Sequence, residues 1–148
     1  MRMRGKKPIY GFRDTFDLSS VMRPIIQEGL IKYREVIVDR YRDENACVAI
    51  PFSESPDEDI DQSFWKWVSI LDEMIVGFSE EPDMDDYDFN IYMVESPELG
   101  SGNGFRASKV EIDNREEYTR YANDVKDFHR RAAEGRMLFA QYYENLWW

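Results

Sequence analysis

The chain has 148 residues and carries 30 Asp and Glu against 19 Lys and Arg, a formal net charge of −11. That length suits one domain, residues 1–148, with a real hydrophobic core, and 43% hydrophobic and 15% aromatic residues predict a folded rather than a disordered chain. The charge argues against general binding to a phosphate backbone or an anionic bilayer, since both depend on Lys and Arg.

Residues 1–13 read as a basic N-terminal arm. Met1-Arg-Met-Arg-Gly-Lys-Lys-Pro8 has the charge of a signal peptide's opening, but no apolar run follows it and no stretch of about 20 apolar residues occurs anywhere. The expectation is a protein that is neither exported nor embedded in a membrane. Between residues 18 and 42 the apolar positions Leu18, Val21, Met22, Ile25, Ile26, Leu30, Tyr33, Val36, Ile37 and Tyr41 step by threes and fours, which predicts an amphipathic helix. Asp17 is placed to cap it, and Pro24 falls in its second turn.

Residues 43–58 connect, with a short extended segment over 46–52 that Pro51 limits to an edge or a loop. Cys47, the single cysteine, lies here. Alone, it excludes an intrachain disulfide or a thiolate zinc site, and it suits a reducing cytoplasm. A second helix is predicted over 60–78, with Ile60, Phe64, Trp67, Val68, Leu71, Met74, Ile75 and Phe78 on one face. Trp65 and Ile70 fall off that stripe and suggest a central helix apolar on two sides, and Gly77 is placed for close packing.

Two acidic runs bracket this helix. Glu54, Asp57, Glu58, Asp59 and Asp61 precede or open it, and Glu80, Glu81, Asp83, Asp85, Asp86 and Asp88 follow it, with no base in either run. These 11 carboxylates equal the whole net charge. A helix of about 18 residues separates its ends by roughly 27 Å. The first run lies where the helix dipole favours carboxylates and the second where it disfavours them.

Residues 89–112 predict a β-hairpin. Phe89-Asn-Ile-Tyr-Met-Val-Glu95 and Phe105-Arg-Ala-Ser-Lys-Val-Glu-Ile112 flank a Gly-rich loop whose spacing matches no phosphate-binding fingerprint. A long helix is predicted over 115–147, opened by an Asn114 and Glu117 capping box. Gly135 is its interior weak point, costing about 1 kcal/mol against Ala and allowing a bend. The chain closes on Trp147-Trp148 without a polar tail, which predicts a docked terminus. Three long helices with a small hairpin between the second and third make the expected fold mainly α, a helical bundle.

Three stretches, in order, resemble a family of small uncharacterised tailed-phage proteins. They are Asp14-Thr-Phe-Asp-Leu-Ser19, Trp67-Val-Ser-Ile-Leu-Asp-Glu-Met-Ile-Val-Gly-Phe78 and Glu134-Gly-Arg-Met-Leu-Phe-Ala-Gln-Tyr-Tyr-Glu-Asn-Leu-Trp147, together about 32 of 148 residues. The resemblance implies a viral origin and a helical fold; it implies no activity and does not extend to the hairpin.

The chemistry-bearing residues favour binding over catalysis. A thiol nucleophile would require Cys47 to meet His129, the single histidine. Glu35, Asp39, Asp72 and Glu73 are the carboxylates a Mg²⁺-dependent all-α nucleotide hydrolase would use, but its tandem acidic signature is absent and Arg34, Arg40 and Arg42 interleave with the first pair. The leading expectation is a non-enzymatic accessory protein, without cofactor or metal, acting in the host cytoplasm. There the 11 clustered carboxylates, with exposed aromatics, would bind and block or sequester a host protein with a basic surface. The alternatives are a sponge for a small signalling nucleotide, held by Arg106, Lys109, Arg130 and Arg131 in a pocket between subunits of a homo-oligomer, the hydrolase, or a minor virion component.

Overall fold

The computed structural model describes residues 2–4, 7–9, 18–43, 48–51, 59–95 and 108–146. The protein is mainly helical: α1 (Leu18–Arg42), α2 (Ile60–Gly77) and α3 (Arg115–Tyr142) have 25, 18 and 28 residues. Two antiparallel strand pairs accompany them, β1 (Arg2–Arg4) with β2 (Lys7–Ile9) and β3 (Ile91–Glu95) with β4 (Ser108–Ile112). The second pair falls between α2 and α3, inside the stretch where the sequence predicts a hairpin. The first lies in the basic arm, where strands of three residues are too short to show an alternating pattern.

Within the single stretch that the sequence presents as one domain, the chain divides into two compact units. The first combines Met1–Glu80 with Arg130–Trp148, and the second is Glu81–His129, so α3 contributes residues to both.

In the first unit α2 supplies most of the core. Ser63, Phe64, Trp67, Val68, Leu71, Met74 and Gly77 are buried at helical spacing, and α1 adds Leu30, Ile37 and Val38. Tyr41 stacks on Phe64 with ring centroids 3.7 Å apart. Leu138, Phe139, Tyr142 and Leu146 pack against the same cluster. Of the second apolar side expected of α2, Ile70 is partly buried against the core cluster, whereas Trp65 is 49% exposed, its ring set edge-on to Phe64. Trp67 is fully buried, edge-on to Tyr142 at 5.4 Å. Tyr33 donates its hydroxyl to the Asn145 carbonyl at 3.5 Å. Burial raises the Tyr33 pKa, partly offset by the Trp67 indole.

Gly135 lies at a close contact between helices. α3 runs unbroken through this position, and a Cβ built on Gly135 would lie 2.1 Å from the Glu73 carbonyl oxygen and 2.8 Å from the Gly77 nitrogen. A Cβ on Gly77 would lie 2.8 Å from the Arg136 nitrogen. The paired glycines therefore let the backbones of α2 and α3 touch, the close packing expected of Gly77 alone. α3 ends at Tyr142 and is followed by a 3-10 turn, Tyr143–Asn145, short of the predicted 147. Trp147, Trp148 and the Asp17 cap lie outside the described residues.

The second unit is thinner. Phe89 is its one buried hydrophobic side chain among the described residues, set against Tyr118 and Tyr121 at 5.4 and 5.5 Å. Tyr87 meets Tyr121 edge-on at 5.2 Å. Asn114 opens α3 as expected, accepting from the Glu117 N–H at 3.3 Å. Its amide donates to the Asp88 carbonyl at 2.9 Å, while the Glu117 carboxylate accepts from the Asp88 N–H and from Arg120.

Candidate acidic site

The two acidic runs have different local roles. Of the first, Glu54, Asp57 and Glu58 lie outside the described residues. Asp59 is the N-cap of α2 and accepts from the Asp61 N–H at 3.0 Å, and the Asp61 carboxylate accepts from the Tyr41 hydroxyl. These two aspartates hold the start of a helix, where the dipole favours them.

The second run begins in the same way and ends differently. Glu80 pairs with Arg23 at 3.3 Å, which also donates to the Ser79 carbonyl. Glu81 lies 3.5 Å from His129 Nε2. Asp83 caps the 3-10 turn Met84–Asp86 by accepting from the Asp85 N–H at 3.0 Å. Asp85, Asp86 and Asp88 are exposed. Asp85 and Asp88 line an open depression of about 420 Å³ with Met84, Tyr87, Phe89, Asn90 and Ile91.

The division into units relocates the charge. The second unit holds 13 Asp and Glu against 5 Lys and Arg, a net −8, whereas the first holds 17 against 14, a net −3. The sequence attributes the imbalance equally to two loops on a neutral scaffold. By unit, the first run and Glu80 belong to the unit of net −3, and the rest of the second run belongs to the unit of net −8, with further carboxylates on β3, β4 and α3.

One of those carboxylates organises the hairpin. Asp113, just past β4, accepts from the Asn90 N–H at 2.7 Å and from the Asn90 amide at 2.8 Å. It also accepts from the Tyr92 hydroxyl and the Asn114 N–H. These donors hold the Asp113 pKa well below the ordinary carboxylate range, the Asn90 side chain contributing most. The same bond raises the Tyr92 pKa. Tyr87 is tied likewise to α3, donating to Asp124 at 2.8 Å with its pKa raised, while Arg120 lies over its ring at 5.1 Å.

Because the folded-state pKa of Asp113 is depressed, the unfolded hairpin binds more protons in acid, so the stabilisation is complete above about pH 4 and is lost as pH falls through the folded value. Asp113→Asn is expected to speed amide exchange across β3 and β4 at neutral pH and to flatten the acid limb of that exchange. NMR-detected exchange at Tyr92 and Glu111 reads both effects, and unchanged protection would show that Asp113 does not hold the hairpin.

The remaining candidates are dispersed. Lys109 lies 3.6 Å from Glu111, Arg130 pairs with Glu134 at 3.0 Å and Arg131 with Glu73 at 3.4 Å. Lys109 belongs to the second unit and Arg130 and Arg131 to the first, while Arg106 lies outside the described residues. Of the carboxylates suited to Mg²⁺, Asp72 is held by Arg34 through two nitrogens at 2.5 and 3.2 Å, Glu73 by Arg131 and Glu35 by Lys32. Among the described residues no group of three or more His, Cys, Asp or Glu is arranged to hold a metal ion. Nor is any described helix long and apolar enough to cross a membrane. Cys47 lies outside the described residues.

Two features escape sequence reading. The Asp113 node joins residues from both ends of the hairpin, and only the recurrence of Asn90 beside one strand and Asp113-Asn114 beside the other hints at it. The exposure of the hairpin on both faces has no sequence signal, since its apolar residues look like core. Set against known proteins, the chain matches no family model, no curated protein and no solved structure.

Proposed function

We propose that this is a non-enzymatic accessory protein of a tailed phage that binds and blocks or sequesters a host protein with a basic surface in the host cytoplasm. The observation that carries the reading is the net −8 of the second unit, with Asp85, Asp86 and Asp88 exposed and the first and last of them lining an open depression. Carboxylates held close together beside aromatic rings present a surface field that attracts cations and steers a basic partner to it. The pairing of Lys109, Arg130 and Arg131 with acidic neighbours favours this reading over the nucleotide sponge, whose contacts would first have to break those pairs. The first unit's packing of α1, α2 and the end of α3 supports a three-helix bundle as the scaffold.

The test is capture of a basic protein from host cells at rising salt. Binding is expected to fall steeply between low and physiological ionic strength, and to weaken on the order of tenfold when Asp83, Asp85, Asp86 and Asp88 become Asn. Asn retains the capping oxygen at position 83, so the fold is kept while the charge is removed. Capture that ignores both salt and substitution would refute the acidic-surface reading.

A further inference from the structure

The hairpin of the second unit presents an apolar face to solvent. Ile91 pairs with Ile112 and Met93 with Val110, so these four side chains share one face, while Tyr92, Glu111, Val94 and Lys109 share the other. Ile91, Met93 and Val110 are 47%, 73% and 56% exposed. The Asp113 N–H donates to the Asn90 carbonyl at 3.3 Å. That bond puts Ile91↔Ile112 and Met93↔Val110 at non-hydrogen-bonded positions, where side chains approach closely and the residues' own N–H and C=O groups turn to the outer edges. A two-stranded sheet is marginal in water until a third strand or another layer covers it, and among the described residues no third strand pairs with the outer edges of this one.

The surroundings of that face select the occupant. Ile91 also lines the depression bounded by Asp85 and Asp88, so the apolar face runs directly into the exposed carboxylates. A second copy of this chain would bring another unit of net −8 against the first and be repelled. A basic segment meets the opposite field.

We propose that the β3–β4 hairpin docks a basic, strand-forming polypeptide segment, whose apolar side chains continue the face formed by Ile91, Met93, Val110 and Ile112 while a Lys or Arg enters the depression beside Asp85 and Asp88. The segment adds as a strand at the hairpin's edge, taking main-chain hydrogen bonds for affinity and alternate side chains for selectivity. This deepens the reading of the protein as a binder of basic host proteins and rests on it, assigning the contact to one sheet face and the partner to one backbone conformation.

The probe is a synthetic peptide of alternating Lys and Val, with two controls: the same composition interrupted by proline, and alternating Glu and Val. The full chain is expected to bind the first and to reject both controls. The double variant Met93→Thr, Val110→Thr changes no charge and keeps strand-favouring residues, and it should weaken binding on the order of tenfold. The triple variant Asp85→Asn, Asp86→Asn, Asp88→Asn should weaken it comparably and reduce its salt dependence. Amide NMR of Asn90 to Glu95 confirms that the hairpin persists in each, and Val110→Thr alone serves if the double variant loses it.

If the acidic variant weakens binding and the hairpin variant does not, the docking face is refuted while the acidic-surface function stands. If only the hairpin variant weakens it, the docking face stands and the acidic-surface function fails. Equal binding of the proline control overturns strand addition. Concentration-dependent self-association that the hairpin variant abolishes makes a second copy the occupant and overturns the proposal.

Discussion

Gly135→Ala is expected to destabilise the first unit by about 3 kcal/mol, although alanine in an open helix interior is favoured over glycine by about 1 kcal/mol. The added methyl would sit 2.1 Å from the Glu73 carbonyl oxygen and 2.9 Å from the Gly77 Cα. Both are main-chain atoms within α2, so no side-chain rotation relieves the overlap. Relief requires α2 and α3 to separate, and separation withdraws Phe139 from Phe78, whose rings meet edge-on at 5.0 Å. Urea unfolding of the variant should show a lowered midpoint with little change in slope. Gly29→Ala is the matched control: it lies inside α1 with nothing within 4 Å of an added Cβ, so the same substitution should be neutral or stabilising there. A Gly135→Ala variant as stable as the parent would show that the two helices do not meet at this point.

Trp67→Ala is expected to cost about 3 to 5 kcal/mol, the range for removing a large buried aromatic. Trp67 is fully enclosed, and its ring contacts span α2 and the end of α3 through Tyr142. Loss of the indole leaves a cavity near Tyr33, which is half buried and linked onward to the Asn145 carbonyl. Trp67→Phe keeps most of the apolar volume and should cost about 1 to 3 kcal/mol. In that variant the Tyr33 pKa should rise further, because the indole that lowers it is gone while the burial that raises it remains. A spectrophotometric titration of the tyrosines reads that change. If Trp67→Ala and Trp67→Phe were equally mild, α2 would not be the centre of the core.

Much of this fold is legible in the sequence because it depends on local periodicity. Leu30 and Ile37, and the run from Phe64 to Met74, announce their buried faces by spacing alone, whereas Val38 lies off the stripe and its burial shows only in the fold. The strands of the hairpin are marked by Ile91, Val94, Val110 and Ile112. What could not be read depends on elements meeting. Gly135 looks like a defect until the Glu73 carbonyl is placed against it. The apolar stripe of α3 continues from Tyr118 to Tyr142 without interruption, so nothing in its pattern marks the boundary at His129 and Arg130 where one unit gives way to the other. The acidic runs are equally charged as text, yet Asp59 and Asp61 are used within α2 and α1 while Asp85, Asp86 and Asp88 are left on the surface. That distinction required a third dimension because it turns on Tyr41, some 20 residues earlier in the chain.

The division into units also separates the indoles from the hairpin. All four tryptophans, at positions 65, 67, 147 and 148, belong to the first unit, while the nine tyrosines are shared, five in the first unit and Tyr87, Tyr92, Tyr118 and Tyr121 in the second. Emission excited selectively in the indoles therefore follows the first unit and is blind to loss of the hairpin. Denaturation followed by indole emission and by tyrosine absorbance becomes a two-channel recording of one molecule, the first channel reading one unit and the second reading both, so that a gap between the two curves reveals the acidic unit melting by itself.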